Sequence, residues 1–159
     1  FGTSQLGASP EQGSFALTVF FSVGIFMTYI GGLLGDKYGP VKIIRFSLLL
    51  WLPAMFALPY IPQMPAALII GYLLLIIIGA AKALSYSPTI VLGQTYLAKS
   101  IGFASGITLG VSQTIGGLVA PIVGRLADIY SLPLAMLTLV PFLALGLIAS
   151  LFLKSPKDL

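Results

Sequence analysis

The sequence contains no cysteine and no histidine, and it carries little charge of either sign. Without thiols and imidazoles it can form no disulfides, lacks the usual zinc ligands, and lacks the side chain that most often transfers protons near neutral pH. No Asp or Glu falls inside its long apolar stretches either, so acid-base, metal and nucleophilic chemistry have no carriers there. We therefore expect neither an enzyme nor a metal or organic cofactor.

Cations are also scarce, with eight Lys and Arg against four Asp and Glu, a net charge of +4. They are too few and too scattered along the chain to form a face that follows nucleic-acid phosphates. We expect no nucleic-acid partner.

Apolar residues dominate instead, at 58% of the 159 residues, and a soluble domain of this size would need more polar surface. A bilayer core about 30 Å thick requires about 20 apolar residues of helix. Five runs of that kind are separated by polar or Pro/Gly breaks, at 12–35, 42–60, 65–92, 101–124 and 132–153. The sequence predicts an all-α, polytopic bundle of five spans in contact with lipid, with residues 1–159 forming one transmembrane domain.

Local signals mark where helices begin and break. Ser9, Pro10 and Gln12 have the spacing of a capping box with proline at the first helical position, which predicts a helix start. Three prolines within 59–65 remove amide donors and predict a tight turn between the second and third spans.

The distribution of cations predicts an orientation. If the spans alternate, one side carries Lys37, Lys42, Arg45, Lys99, Lys154 and Lys157, and the other only Arg125. Positively charged loops remain in the cytoplasm, so this side and the C-terminus are expected to be cytoplasmic. Because the chain begins at Phe1 without a Met or a basic leader, we expect it to be a fragment of a longer protein.

Polar side chains are concentrated in the first, third and fourth spans. Because unsatisfied polar groups are costly in hydrocarbon, we expect these spans to face protein or a cavity, and the second and fifth to face lipid. Individual Ser and Thr hydroxyls have an alternative, since they often bind the carbonyl one turn back along their own helix. Arg125 and Asp128, three residues apart, are expected to pair at the outer end of the fourth span.

Lys82 lies near the middle of the third predicted span, where an ionisable group costs about 2.5–3.5 kcal/mol on insertion scales. It shares one helical face with Tyr86 and Thr89, so an anion bound by the amine would also meet a phenol and a hydroxyl. Tyr29 and Gln113, from the first and fourth spans, are further candidates for substrate binding. Structural pairing or snorkelling of the lysine is the alternative.

A ridge of small residues follows the fourth span, with Gly102, Gly106 and Gly110 at four-residue spacing and Gly117 and Pro121 beyond. Such a ridge lets another helix backbone approach closely. Pro121 removes a backbone hydrogen bond and is expected to kink the span.

Between the first and second spans lies a polar motif formed by Gly32, Leu34, Asp36, Lys37 and Gly39. A carboxylate at the end of its own helix opposes the helix dipole, so Asp36 is expected to dock against a cation or another helix's N-terminus. A solvated loop carboxylate is the alternative. Gly32 and Gly39 would permit a close approach and a tight turn. The motif resembles the signature loop of the major facilitator superfamily, although Pro-Val follows Gly39 where a basic pair is usual.

That resemblance implies that the five spans are the eighth to twelfth helices of a twelve-helix permease, with the N-terminal half absent. The runs at 91–94, 102–110 and 116–128 are similar to the fosmidomycin-resistance branch of the superfamily. The resemblance implies secondary active transport by alternating access, with efflux or uptake of a small, often anionic or drug-like molecule. Efflux is the expected direction.

An ion gradient, expected to be of protons, would drive this transport, with the proton-carrying carboxylate in the absent helices. We expect a bacterial-type cytoplasmic membrane as the location. The alternative function is a non-transporting membrane scaffold or assembly subunit that packs through the ridge at Gly102, Gly106 and Gly110.

Overall fold

The computed structural model describes residues 9–61 and 67–155. Most of these residues are helical, and no strand occurs among them. The helices are α1 (Pro10–Tyr38), α2 (Pro40–Ala57), α3 (Ala67–Tyr96), α4 (Ile101–Ser105), α5 (Ser112–Ile129), α6 (Leu132–Leu137) and α7 (Val140–Leu151). Short 3₁₀ turns cover Leu58–Tyr60 and Ala98–Ser100, and a π-helical segment covers Gly106–Val111. Two of the three prolines within 59–65, Pro62 and Pro65, lie outside the described residues, as does Lys157.

These helices form five segments that are long and apolar enough to cross a membrane. They run over Glu11–Tyr38, Pro40–Tyr60, Ala67–Tyr96, Ala98–Ile129 and Leu132–Leu151, and are called the first to fifth spans below. The fourth span therefore contains α4, the π-helical segment and α5, and the fifth contains α6 and α7. The predicted all-α fold with five spans is confirmed.

The ends of the first span form as the sequence predicts. The Ser9 N–H donates to Gln12 Oε1 at 2.9 Å and the Gln12 N–H donates to Ser9 Oγ at 3.2 Å, which completes the capping box. At the other end Gly39, with φ of +94°, is the single residue between α1 and α2. Its N–H donates to the Gly35 carbonyl, and the positive φ is one that L side chains rarely adopt.

The third span is the centre of the bundle, because the first and second spans both pack along it and the fifth packs on the second. In the most apolar stretch of each span, the share of buried residues is 39% for the second span and 33% for the third. It is 6% for the first span, 0% for the fourth and 11% for the fifth. This differs from the expectation that the second span faces lipid, because its buried Ala54, Met55 and Leu58 form a core with Ile78 of the third span.

The first and third spans touch backbone to backbone. A Cβ added at Gly31 would overlap the backbone carbonyl of Leu84, and one at Gly35 would lie 3.2 Å from Pro88 Cγ. Pro88 has no N–H to donate to that Leu84 carbonyl four residues earlier. The Gly31 hydrogen that a Cβ would replace faces the same oxygen, and a Cα–H in that position is a weak donor.

Arg45 joins the start of the second span to the end of the fifth. Its guanidinium donates at 3.0 to 3.3 Å to the carbonyl oxygens of Ser150, Leu151 and Leu153. Carbonyls at a helix C-terminus lack intrahelical donors and carry partial negative charge, so a cation is favoured there. The Tyr96 hydroxyl, at the end of the third span, donates to the nearby Lys154 carbonyl at 2.7 Å.

These contacts bring the start of the second span and the ends of the third and fifth to one end of the bundle. The loop motif at the end of the first span and the start of the fourth span lie at the same end, because they directly adjoin these termini in the chain. This end, called the basic end, carries Lys37, Lys42, Arg45, Lys99 and Lys154. Glu11 and Arg125 belong to the opposite end, where the Tyr72 hydroxyl of the third span donates to the Gln12 carbonyl at 3.0 Å.

Candidate functional site

Lys82 lies midway along the third span, and its side chain is exposed, as are those of Tyr86 and Thr89 on the same face. Within residues 9–61 and 67–155 neither Lys82 nor Tyr86 makes a hydrogen bond or ion pair, so the amine and the phenol are both available as donors. The Thr89 hydroxyl donates to the Ser85 carbonyl at 2.7 Å. Thr89 can therefore accept a hydrogen bond from a ligand but offers no donor to an anion in this rotamer.

The exposed face leads from Lys82 to the contact between the third and fourth spans. Gly93 lies on the same face as Lys82, one turn beyond Thr89, and a Cβ added there would lie 2.7 Å from Thr108 Oγ1. Beside it, Gln94 Nε2 donates to Ser105 Oγ at 2.9 Å. Sequence reasoning noted residues 91–94 only as part of a family resemblance, whereas the fold makes them the junction with the fourth span.

Tyr29 and Gln113, the other two predicted substrate-binding residues, are not brought to Lys82 by contacts within the described chain. Tyr29 is 70% exposed and lies two positions before Gly31, which is about 200° around the helix from the face that packs on the third span. Gln113 is exposed in α5, beyond the part of the fourth span that contacts the third. The Gly31-x₃-Gly35 spacing is a sequence signal that would have identified the packing face of the first span.

The loop motif borders a small cleft at the basic end, with a volume of about 30 Å³. Its lining residues come from the first three spans: Gly32, Gly35, Asp36, Pro40, Ser87, Pro88 and Val91. This space admits a water molecule but not a drug-sized ligand. The cleft therefore resembles a junction between helices more than a substrate site.

Within the motif, Asp36 is exposed, and it makes no ion pair with any described cation. Pro40, the first residue of α2, shares its cleft. Gly32 packs closely, since a Cβ there would lie 3.2 Å from Ser87 Oγ, and Leu34 is half-buried. Lys37 Nζ lies 5.2 Å from the centroid of the Tyr38 ring, a cation–π contact at the helix end.

The small-residue ridge of the fourth span is open. A Cβ added at Gly102, Gly106, Gly110 or Gly117 would have no described heavy atom within 4 Å, and Pro121 is exposed inside α5. The ridge thus has no helix against it in the part of the chain described. Arg125 and Asp128 are exposed and form no ion pair among the described residues, since an exposed pair gains little over hydration.

Chemically, the third span offers one cation and one phenol on an accessible face in the membrane region, an arrangement suited to an anion or a polar acceptor. No group of three His, Cys, Asp or Glu that could hold a metal ion occurs among the residues described.

Comparison with known proteins gives a consistent set of relatives. The profile of the Major Facilitator Superfamily matches residues 3–159. YfnC, an uncharacterised MFS-type transporter of Bacillus subtilis (strain 168), is 31% identical over 149 residues, which cover 94% of this chain and 35% of the relative. The fosmidomycin resistance protein of Escherichia coli (strain K12) is 34% identical over 130 residues, covering 82% and 31% respectively. The chain thus spans about a third of the length of these relatives. No solved structure matches it.

Proposed function

The chain belongs to the major facilitator superfamily, and from that premise we propose that it forms part of a secondary transporter that exports a small anionic or drug-like molecule by alternating access. The membership confirms the resemblance carried by the loop motif, and with the five apolar helices it makes the chain part of an integral membrane protein. Membership of this transporter family also agrees with the expectation that the chain is not an enzyme.

The observation that carries the proposal is the exposed Lys82. An ammonium group at the centre of a span costs about 2.5–3.5 kcal/mol on insertion scales, and such groups commonly mark substrate or ion pathways. Lys82 has no counter-charge among the described residues, so an anionic substrate would supply one. Tyr86 adds a hydroxyl donor on the same face, while Thr89 adds an acceptor for a substrate hydroxyl or amide.

The direction and the energy source are inferred separately. One relative is named for drug resistance, which supports efflux. A proton gradient is the proposed energy source, and it requires a titratable group within the membrane. Because the sequence has no Asp or Glu in the central part of any span, that carboxylate would belong to the remaining helices of the whole protein.

The proposed location is a bacterial-type cytoplasmic membrane with the basic end and the C-terminus in the cytoplasm. Five described cations at one end of the bundle support this orientation by the positive-inside rule. The proposed protein partner is the N-terminal half of the same transporter. The exposed first and fourth spans provide surface for it.

The test is transport by the whole protein in which Lys82 is replaced by Ala or Arg. Cells that express each variant are challenged with fosmidomycin, the drug named in one relative, and with a panel of small organic anions. Lys82→Ala is expected to abolish protection or export at unchanged membrane expression, and Lys82→Arg to retain part of it because the charge remains. Lys99→Ala, an exposed lysine at the basic end, serves as the matched control.

Export by Lys82→Ala at the wild-type rate would contradict the site. An amine-labelling experiment separates a transporter from a scaffold, because substrate should slow the modification of Lys82 but not that of Lys99. A scaffold that packs through its glycine ridge would show no such substrate protection.

A further inference from the structure

The fourth span differs along its length in how it is held. Its first residues lie on the third span, where Ala104 is buried, Ser105 accepts the hydrogen bond from Gln94, and Thr108 meets Gly93. Beyond the π-helical segment, by contrast, no residue of Ser112–Ile129 is buried. The inner half of the span is therefore held on the third span. The outer half has no buried residue, and the helix of another span that it contacts most is α6, which follows it after the turn at residues 130–131.

The π-helical segment Gly106–Val111 occupies the boundary between these halves. At its start the Gly106 N–H is shared between the carbonyls of Gly102 and Phe103, and just after it the Ser112 N–H donates to Leu109, only three residues earlier. The regular ladder of hydrogen bonds four residues apart is thus weakened at the first edge, where the Gly106 N–H is shared, and broken at the second, where Ser112 donates to Leu109 instead. Such interruptions are where helices bend, and π-helical turns often occur at functional positions.

Hydroxyl groups compensate the interrupted ladder. Thr108, Ser112 and Thr114 each donate to the carbonyl four residues earlier, on Ala104, Thr108 and Gly110. Three such bonds occur within eleven residues, and each lets a carbonyl tilt away from the helix axis without losing a donor. The segment can therefore change its backbone hydrogen bonds while its carbonyls remain satisfied.

Glycine makes the same segment easy to deform. Gly106 and Gly110 lie inside it, and an added Cβ at either would meet no described heavy atom within 4 Å. Their missing side chains are therefore not required by packing within the described chain. What they do provide is backbone freedom, which glycine has to a greater degree than any other residue.

We propose that the fourth span is hinged at Gly106–Val111, so that residues 112–129 swing relative to the third span while residues 101–105 remain fixed on Gln94. The hinge is a property of the fold and goes beyond the proposed function. Its functional consequence rests on that function. Because the exposed face of Lys82 leads to the Gly93–Thr108 contact, the swing changes access to Lys82 from the end opposite the basic end.

The test measures distances by electron paramagnetic resonance in the whole protein, reconstituted in lipid nanodiscs without substrate. This chain has no cysteine, so paired cysteines introduced into it can be spin-labelled once any others in the protein are replaced. One pair joins Leu73 of the third span to Ile122 of the outer fourth span, positions that are 55% and 61% exposed. The reference pair joins Leu73 to Ile25 of the first span, 73% exposed, since these two spans are in backbone contact.

The Leu73–Ile122 distance distribution is expected to be two-peaked or at least about twice as wide as that of the reference pair. Gly106→Ala combined with Gly110→Ala should narrow the Leu73–Ile122 distribution towards the width of the reference pair. Gly117→Ala combined with Gly124→Ala makes the same chemical change at equally open positions outside the π-helical segment, and should leave it wide.

Equal widths for the two wild-type pairs would overturn the hinge, and this comparison requires no variant of the segment. Equal narrowing by the two alanine pairs would also overturn it, because flexibility would then belong to the whole outer half. Neither result depends on substrate, so failure of the hinge and failure of the transport proposal are distinguished.

Discussion

Replacing Gly31 by alanine should destabilise the bundle by about 2 kcal/mol. The added methyl would overlap the backbone carbonyl of Leu84, which cannot rotate away as a side chain could. Overpacking of this kind typically costs about 1–3 kcal/mol, and a clash with backbone belongs at the upper end of that range. Alanine in place of glycine favours the helix by about 1 kcal/mol, which offsets part of the cost.

Separation of the two helices would add to the effect, because the Leu84 carbonyl loses its contact with the Cα–H of Gly31. Pro88 provides no N–H in compensation. A net loss of about 2 kcal/mol corresponds to about a 30-fold change in the unfolding equilibrium. It should appear as a lower midpoint in thermal unfolding of the purified protein in detergent.

Gly24→Ala is the matched control on the same face of the same helix. Its Cβ would lie 3.9 Å from Ala83 Cβ, an ordinary van der Waals contact, so this variant should be as stable as the wild type or slightly more stable. If Gly31→Ala and Gly24→Ala unfold at the same temperature, the backbone contact between the first and third spans is not as tight as described, and the reasoning fails.

Two further stability predictions concern the basic end. Arg45→Ala leaves three carbonyls at the end of the fifth span without their donor, so it should lower the free energy of unfolding by about 1–3 kcal/mol and speed proteolysis after residue 150. Lys42→Ala removes an exposed cation from the same helix and should change neither quantity. Gly39→Ala forces an L side chain to φ of +94° and should cost about 1–3 kcal/mol in thermal unfolding. Gly116→Ala, in open space on a regular helix, is the control and should not lower stability. Equal losses of stability in the Gly39 and Gly116 variants would contradict the role of the turn.

Local chemistry explains what the sequence predicted well. Each span must satisfy its backbone hydrogen bonds internally and present apolar side chains to lipid, so five long apolar runs predict five helices without knowledge of their neighbours. The capping box of Ser9 and Gln12 closes within three residues. The motif from Gly32 to Gly39 is also local, and it was enough to indicate the family that the comparisons confirm.

Side-chain polarity predicted the burial of the spans less well. It assigned the second span to lipid, yet this span is packed between the third and fifth through Ala54, Met55 and Leu58. Polarity reports which groups need a partner, whereas burial depends on which apolar faces meet. It also grouped Tyr29 with Lys82 because both are polar, although the packing of Gly31 turns Tyr29 away from the third span.

The sequence by itself determined the number of spans, their helical state, the charge difference between the two ends, and Lys82 as an ionisable group near the middle of a span. Each of these depends on interactions within a few residues or on the preference of a side chain for lipid or water. Only the tertiary structure decided that Arg45 binds the end of a helix 105 residues later, that Gly31 meets Leu84, and that the third span holds only the inner part of the fourth. Those contacts join segments far apart in the chain, and the geometry in which helices cross, rather than any local pattern, selects which residues meet.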